Sequence, residues 1–428
     1  MTDKERRKNL TVSHNSDSSF SRLADRVFNG HIFPDVGLAC ILACLYFMAL
    51  PLTIATNEAG SSFLRLITIP IAAYFLAALF FYREKLELNS VHLFLALFLL
   101  SCVATLYADS SSVAVMYVRG YIETVTLIFL ISMRKYTRRE EEIFDLSQLA
   151  LLVIMIFLGF STGSWYGGRN TMTIMGATSD PNYFTSFFFY PMAVAMKKIA
   201  ERKNYAPLCF VLILLGAYSV LSSGSRGGLI AMAVIMASYM FIRAKSVLQR
   251  LCGIAGLIAA AALFWTVVLP LLPASVAERF SIQVLLESRG SARGDIWISM
   301  LKTIRESTWE LFCGRGIFVH HEMMINGKLE QVVAHNHFIQ TLYNQGIFGF
   351  LLFCLLSLSA IFRNLKQRPH VSAAMIGMLT LAMTLTINPS IKSFWNLLIF
   401  AAFSMAKANA ENNKEGGAIS NEKENRTV

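Results

Sequence analysis

The sequence predicts an all-α integral membrane protein with about twelve transmembrane helices. Hydrophobic residues make up 55% of the 428 positions and charged residues only 15%, whereas soluble domains carry about 25% charged residues. Apolar runs long enough to cross the hydrocarbon core of a bilayer recur along the chain. The charged residues are clustered between these runs, as expected if the runs lie in lipid.

Each apolar run is interpreted as one span. The first is not read as a cleavable signal, because the polar residues before it are not followed by a small-residue cleavage site and a soluble domain. The predicted spans are 36–56, 62–81, 91–107, 112–132, 146–160, 183–196, 207–222, 228–242, 251–272, 338–362, 371–387 and 392–406. The chain is thereby divided into a basic N-terminus (1–35), helices 1–9 (36–272), a large loop (273–337), helices 10–12 (338–406) and a polar tail expected to be disordered (407–428).

The positions of Lys and Arg predict the orientation. Most of them lie in segments that alternate spans place on the same side as the basic N-terminus, whereas the short loops on the other side contain only Arg169 and Arg226. Cytoplasmic loops carry the excess of basic residues in membrane proteins. Both termini are therefore expected in the cytoplasm, and the isoelectric point near 9.3 reflects this face rather than nucleic-acid binding.

The loop 273–337 is long enough for a small extracytoplasmic subdomain. It contains seven basic and seven acidic residues and four of the eight histidines. Its apolar residues Ile296, Met300, Leu301 and Ile304 recur at helical spacing. This pattern predicts an amphipathic helix from about 292 to 307, lying on the membrane surface.

Two arginine-containing segments are candidate anion sites. Ser223–Gly228 precedes a helix, and its glycines would let the backbone approach a ligand, while the guanidinium of Arg226 offers a donor fork suited to phosphate. In the large loop, Arg289 and Arg293 are four residues apart and would share one helix face. The alternatives are an interfacial arginine in an ordinary turn for Arg226, and surface ion pairs for the other two.

A third segment, Ala334–Phe338, lies where the large loop enters span ten. His335 can take a proton from a hydroxyl group at neutral pH, and Asn336 could orient it. His337 competes with it for this role, and both histidines could instead bond only backbone or water at the helix start. The chain lacks the Cys and carboxylate set typical of a zinc site, so no metal is expected.

These segments follow one another in a recognisable order. The succession, within about 176–362, resembles the O-antigen ligase and O-antigen/exopolysaccharide polymerase superfamily, as does the number of predicted helices. The matching segments are Asp180-Pro181-Asn182, Ser225-Arg226-Gly227, Arg293-Gly-Asp-Ile-Trp297, Cys313-Gly-Arg-Gly316, Ala334-His335-Asn336-His337-Phe338 and Gly346-Ile-Phe-Gly349.

The resemblance implies a fold similar to the class C membrane glycosyltransferases, in a bacterial inner membrane. It further implies an undecaprenyl-diphosphate-linked glycan donor, a glycan or lipid A-core acceptor, and catalysis without metal or cofactor. Membrane lipids and other polysaccharide assembly proteins are the further partners it suggests.

Site residues follow from the same resemblance. Arg226 and Arg293 would hold the diphosphate, with Arg289 as the alternative second arginine. His335 would act on the acceptor hydroxyl, with His337 as its alternative, and Asn336, Asp180 and Asn182 would have supporting roles.

The resulting hypothesis is a glycosyltransferase that polymerises or ligates lipid-linked glycans on the outer face of the membrane. The arginines would stabilise the departing diphosphate and His335 would deprotonate the attacking hydroxyl, inverting the anomeric carbon. A polymerase is preferred slightly over a ligase because of the Asp-Pro-Asn element and the modest size of the loop. A transporter or flippase and a non-catalytic scaffold are the competing classes, although transporters commonly contain internal repeats that this sequence does not show.

Overall fold

The described part of the chain is mostly helical. The computed structural model describes residues 31–33, 36–55, 63–82, 91–108, 115, 118, 131, 136–161, 164–166, 169–281, 293–317, 321–325 and 327–386. Its helices are α1 (Leu38–Met48), α2 (Leu64–Tyr82), α3 (Val91–Ala104), α4 (Arg138–Ser161), α5 (Pro181–Ala200), α6 (Ala206–Ser222), α7 (Arg226–Arg243), α8 (Val247–Leu263, continued by Phe264–Val268 and Leu269–Leu271), α9 (Ala274–Ala277), α10 (Arg293–Arg305), α11 (Thr308–Cys313), α12 (His337–Asn364) and α13 (Pro369–Ala382). Leu50–Thr53 and Glu278–Phe280 are short 3₁₀ helices.

The strands within these ranges form four two-stranded antiparallel ribbons, and none of them joins another into a larger sheet. They are β1 (His31–Phe33) with β2 (Val36–Gly37), β3 (Ser164–Tyr166) with β4 (Arg169–Thr171), β5 (Thr173–Ile174) with β6 (Ala177–Thr178), and β7 (His321–Ile325) with β8 (Lys328–Val332). In the last ribbon His321 faces Val332 and Ile325 faces Lys328 across the register.

Four of the described helices are long and apolar enough to cross a membrane. They are Arg139–Ser161, Arg226–Arg243, Val247–Leu271 and His337–Asn364, and shorter apolar helices occur at Leu38–Met48, Leu64–Ala77, Ala206–Ser222 and Pro369–Ala382. The predicted spans 112–132 and 392–406 lie almost entirely outside the described residues. The count of about twelve spans therefore stays a prediction, whereas the helical membrane-protein class is supported.

Helix α5 is the centre of the bundle, surrounded by α4, α6, α7 and α13. Phe184 and Phe188 share one face of the helix and Phe189 lies on another, yet all three are fully buried. A helix that is apolar all round is typical of such a central position. The packed core thus fixes the two ends of α5 relative to its neighbours.

Polar clusters lie at the two opposite ends of α5. At its C-terminal end the carboxylate of Asp145 contacts the ammonium groups of Lys197 at 2.6 Å and Lys198 at 2.7 Å. At its N-terminal end lies Asp180. Lys198 is 18 positions after Asp180, which corresponds to about 27 Å of helix and is close to the thickness of the hydrocarbon core.

The ion pairs of the first cluster join segments that the sequence assigns to one side of the membrane. Glu142 pairs with Lys203 at 2.7 Å, and Glu141 pairs with Arg368. Segments 133–145, 197–206 and 363–370 therefore meet at one end of the bundle, as their predicted alternation requires. Which end faces the cytoplasm stays a prediction.

The prediction of one continuous span over 338–362 is wrong, because α12 breaks at Gly346. The backbone there has φ 64° and ψ −166°, a left-handed conformation that favours glycine. The ring of His337 lies 4.8 Å from that of Phe353, whereas 16 residues of straight helix would separate them by about 24 Å. The short helix His337–Gln345 therefore folds back against the segment that follows.

The amphipathic helix expected at 292–307 is confirmed as α10. Its apolar residues Ile296, Met300 and Ile304 are buried, but they pack with Ala334 and Tyr343. The prediction that this face lies on the membrane surface is therefore wrong, because protein already covers it. The packing ties α10 to the segment that leads into α12.

Candidate functional site

Arg226 occupies the first position of α7, and its side chain is held by the large loop. Ser225 caps this helix by accepting a hydrogen bond from the Gly228 N–H at 3.0 Å. The Nε of Arg226 donates to the main-chain oxygen of Arg279 at 2.6 Å. In return, the Nε of Arg279 donates to the main-chain oxygen of Gly224 at 3.0 Å.

Gly224 lies at φ +60°, and a Cβ atom there would approach Arg279 Cδ to 3.0 Å. The reciprocal bonds and this close approach lock Arg226 and Arg279 together.

Arg293 brings a third guanidinium group to this end of the bundle. Its Nη1 donates to the main-chain oxygen of Thr384 at 2.9 Å. Arg279 and Arg293 both interact electrostatically with Arg226. Burial lowers the pKa of Arg293, the charge of Arg279 lowers it further, and the carboxylate of Asp180 opposes the shift.

None of the three arginines has a carboxylate within 4.0 Å among the described residues; each donates instead to a main-chain carbonyl oxygen. Like charges at this proximity repel one another, and partial burial weakens their screening by solvent. The cluster, Arg226 with Arg279 and Arg293, thus has the charge and the donor groups that suit an anion with more than one charge.

The Asp-Pro-Asn element connects this cluster to α5. Asp180 caps the helix by accepting from the Asn182 N–H at 2.7 Å, and Pro181 takes the first helical position. The Oδ1 atom of Asn182 accepts from Ser225 Oγ at 2.8 Å and from Arg169 Nη2 at 3.3 Å. Asn182 therefore joins the starts of α5 and α7, and Asp180 contributes negative charge beside the arginines.

Arg169 lies on β4 and braces the turn that carries Arg226. Its Nε donates to the main-chain oxygen of Ser223 at 2.8 Å. Its guanidinium also donates from Nη2 to Asn182 Oδ1 at 3.3 Å. Arg169 thus braces the turn before Arg226.

His335 stands at a strained turn immediately before α12. Its φ of 47° is unusual for a residue with a side chain. The preceding residue, Ala334, is fixed by Trp297 Nε1, which donates to its oxygen at 2.6 Å, and by Gln340 Oε1, which accepts from its N–H at 2.9 Å. Backbone strain that is held by its surroundings is typical of functional positions.

The surroundings of His335, burial first among them, favour the neutral form of its imidazole. The residue remains exposed to solvent, yet partial burial of the ring lowers its pKa, and the positive charge of Arg293 lowers it further. The carboxylate of Asp180 opposes both effects. A neutral imidazole beside a cationic site can accept a proton.

The neighbours of His335 have structural roles. Asn336 caps α12 by accepting from the N–H groups of Phe338 at 3.0 Å and Ile339 at 3.2 Å, so its side chain does not orient His335 as the sequence suggested. His337 is buried against the ring of Phe353. Of the two histidines, His335 is the one in electrostatic contact with Arg293 and open to solvent.

The two glycine motifs of the large loop and α12 interlock through their backbones. The Arg315 N–H donates to the oxygen of Tyr343 at 2.9 Å, and the Gly316 N–H donates to that of Asn344 at 3.0 Å. A Cβ atom at Gly314 would lie 2.3 Å from the carbonyl carbon of Asn344. These motifs therefore hold the fold-back of α12.

The structure thus brings together Arg226, Arg293, Asp180, Asn182 and His335. Arg289 lies outside the described residues, so the alternative arginine stays untested. Among the described residues no three His, Cys, Asp or Glu side chains form a group that could hold a metal ion, and metal independence stays a prediction.

Sequence reasoning missed Arg279 and gave Arg169 no role. Arg169 did carry a signal, because it is one of two basic residues in the short outer loops. Arg279 carried none, since no motif surrounds it.

Comparison with known families supports this reading of the chain. Residues 210–354 match the family model described as O-antigen ligase, and this segment contains Arg226, Arg279, Arg293 and His335. The resemblance to the O-antigen ligase superfamily is thereby confirmed, and it supports a membrane protein with a function of the O-antigen ligase or polymerase type. A comparison with curated proteins found no match.

Proposed function

Starting from the O-antigen ligase domain at 210–354, we propose that the chain is a membrane glycosyltransferase acting on undecaprenyl-diphosphate-linked glycans at the outer face of the bacterial inner membrane. It transfers the glycan to a sugar hydroxyl group without a metal ion. Transfer to a second lipid-linked glycan, which makes the protein a polymerase, is the preferred reaction. Transfer to lipid A-core, which makes it a ligase, is the close second.

The observation that carries this proposal is the cluster of Arg226, Arg279 and Arg293. Three guanidinium groups without carboxylate partners among the described residues repel one another. A diphosphate offsets this repulsion and can accept several charge-assisted hydrogen bonds. Because its charge grows as the glycosidic bond breaks, the site stabilises the transition state more than the bound donor.

The proton transfer is assigned to His335. His335 removes the proton from the acceptor hydroxyl as its oxygen forms the new bond to the anomeric carbon. The bond from that carbon to the diphosphate oxygen breaks, and its electron pair leaves with the diphosphate. A single displacement of this kind inverts the anomeric carbon.

The experiment uses purified full-length protein with a synthetic polyprenyl-diphosphate glycan as donor and acceptor. Wild type is expected to release polyprenyl diphosphate and form a glycan extended by one donor unit, whereas Arg226→Ala loses this activity. The matched control is Arg305→Ala, an exposed arginine in the last turn of α10, which keeps it. An Arg226→Ala protein as active as wild type contradicts the proposal, as does wild-type protein that only moves the intact lipid across vesicles.

A further inference from the structure

Thr384, just after α13, contacts two of the three elements that carry the arginines of the cluster, α7 and α10. Its main-chain oxygen accepts the hydrogen bond from Arg293 Nη1 at 2.9 Å. Its side chain fills the space that a Cβ atom would need at Gly227, which follows Arg226. Such a Cβ would lie 2.0 Å from Thr384 Oγ1 and 3.0 Å from Thr384 Cβ.

This contact gives a structural reason for glycine at position 227, which the sequence did not suggest. Because Gly227 has no side chain, Thr384 can pack against the backbone of α7 there. Gly228 likewise leaves room for Thr185, whose Oγ1 would lie 2.7 Å from a Cβ atom added at Gly228. Both glycines therefore serve the approach of neighbouring helices to α7. The contact at Gly227 is next to Arg226 in the chain. It therefore fixes the position of the Arg226 backbone, from which the side chain extends.

The register of α13 against α7 prevents Thr384 from sliding. About two helical turns before it, a Cβ atom at Gly377 would lie 2.1 Å from Ile235 Cγ1 and 3.1 Å from the oxygen of Ala231. Leu381 and Leu385 on either side of Thr384 are buried. Thr384 Oγ1 also donates to the main-chain oxygen of Leu381 at 3.0 Å, which holds the side chain in one orientation.

Resting on the proposed function, we propose that Thr384 is a positioning residue that sets the separation of Arg226 and Arg293. Its side chain locates the start of α7, and its carbonyl oxygen locates the guanidinium of Arg293. A displacement of about 1 Å in a binding group can cost a hundredfold in rate. Thr384 thereby acts on the diphosphate-binding arginines without touching the substrate.

Substitutions that enlarge Gly227 and shorten Thr384 test whether Thr384 has this positioning role. With a lipid-linked donor whose own acceptor hydroxyl is blocked, and a separate acceptor, Gly227→Ala pushes Thr384 away and is expected to raise the donor KM at least tenfold while the acceptor KM stays constant. Adding Thr384→Gly removes the atoms that the new methyl group meets, so the double variant is expected to recover most of the donor affinity. Gly256→Ala on α8 is the matched control, because a Cβ there meets nothing within 4 Å.

Thr384→Gly alone provides a second measurement if Gly227→Ala does not accumulate. It loosens the contact and is expected to raise the donor KM severalfold with the acceptor KM unchanged. A Thr384 that serves packing alone lowers the melting temperature in these variants and leaves the donor KM as in wild type, which overturns the inference. A wild-type protein without transferase activity contradicts the proposed function instead, so the two failures are distinguishable.

Discussion

The Nε of Arg226 donates to the main-chain oxygen of Arg279 at 2.6 Å, and the two positively charged side chains interact electrostatically. The acceptor is main chain, so the bond fixes the geometry without neutralising either side chain. Arg279 makes the same kind of bond to Gly224. The protein thus uses backbone carbonyl groups to assemble positive charge and leaves that charge available to a ligand.

Arg279→Ala should weaken donor binding although no motif marks this residue. The variant keeps the main-chain oxygen that orients Arg226 and loses one guanidinium. A hydrogen bond to a charged group contributes about 1.5–3 kcal/mol, so the donor KM should rise roughly ten- to hundredfold. Steady-state kinetics at several donor concentrations measure this change. Arg305→Ala is the control, and an unchanged donor KM in Arg279→Ala would remove Arg279 from the site.

His335→Asn should slow the chemical step while leaving donor binding intact. Asparagine tolerates the left-handed backbone that His335 adopts at φ 47°, so the turn is retained and the proton acceptor is lost. General base catalysis contributes about 10²–10⁴-fold, and kcat should fall by that amount. Single-turnover assays with saturating donor separate the two effects. If this variant kept the wild-type kcat, His335 would not be the general base, and His337 would again be the candidate.

Asp180→Asn should shift the acidic limb of the pH–rate profile to lower pH. The carboxylate of Asp180 raises the pKa of His335, against the effects of burial and Arg293. Its removal lowers that pKa further, so the imidazole stays neutral and active at lower pH. Asparagine is also a good helix cap, which preserves the start of α5.

The pH dependence of kcat/KM reports the free enzyme and is the measurement to compare. Glu306→Gln, an exposed position after α10, should leave the profile unchanged. A shift of the Asp180→Asn limb towards higher pH would show that Asp180 does not act on His335 through its charge.

Particular residues show how far sequence reasoning reached. The apolar spacing of Ile296, Met300 and Ile304 predicted α10 to within two residues of its ends, because a helix that buries one face must repeat its apolar positions. Periodicity does not show what covers an apolar face. The sequence therefore placed this face on the membrane surface, although it packs against Tyr343. Long-range packing partners decide such questions.

The same dependence on long-range packing explains why sequence reasoning missed Arg279 and the break in α12 at Gly346. Arg279 joins the cluster only because Gly224 lies beside it in space, and local sequence carries no trace of that proximity. Gly346 was part of a recognised motif, yet an apolar run reads as one helix whether or not it folds back. Residues with local chemistry, such as Arg226 and His335, were accessible to sequence reasoning because their types alone suggest anion binding and proton transfer.

Gly346→Ala should destabilise the protein as a whole, and this tests the break in α12. An added Cβ would lie 2.3 Å from both the carbonyl carbon and oxygen of Phe312, and backbone atoms cannot move aside as a flexible side chain does. The left-handed conformation adds a further cost of about 1–3 kcal/mol for a residue with a side chain. Thermal unfolding in detergent should therefore show a lower melting temperature, and the amount in the membrane should fall. Gly256→Ala, which meets nothing within 4 Å, should match or exceed wild type because alanine favours helix. If Gly346→Ala melts at the wild-type temperature, α12 is continuous, and the short helix that follows His335 is not folded back.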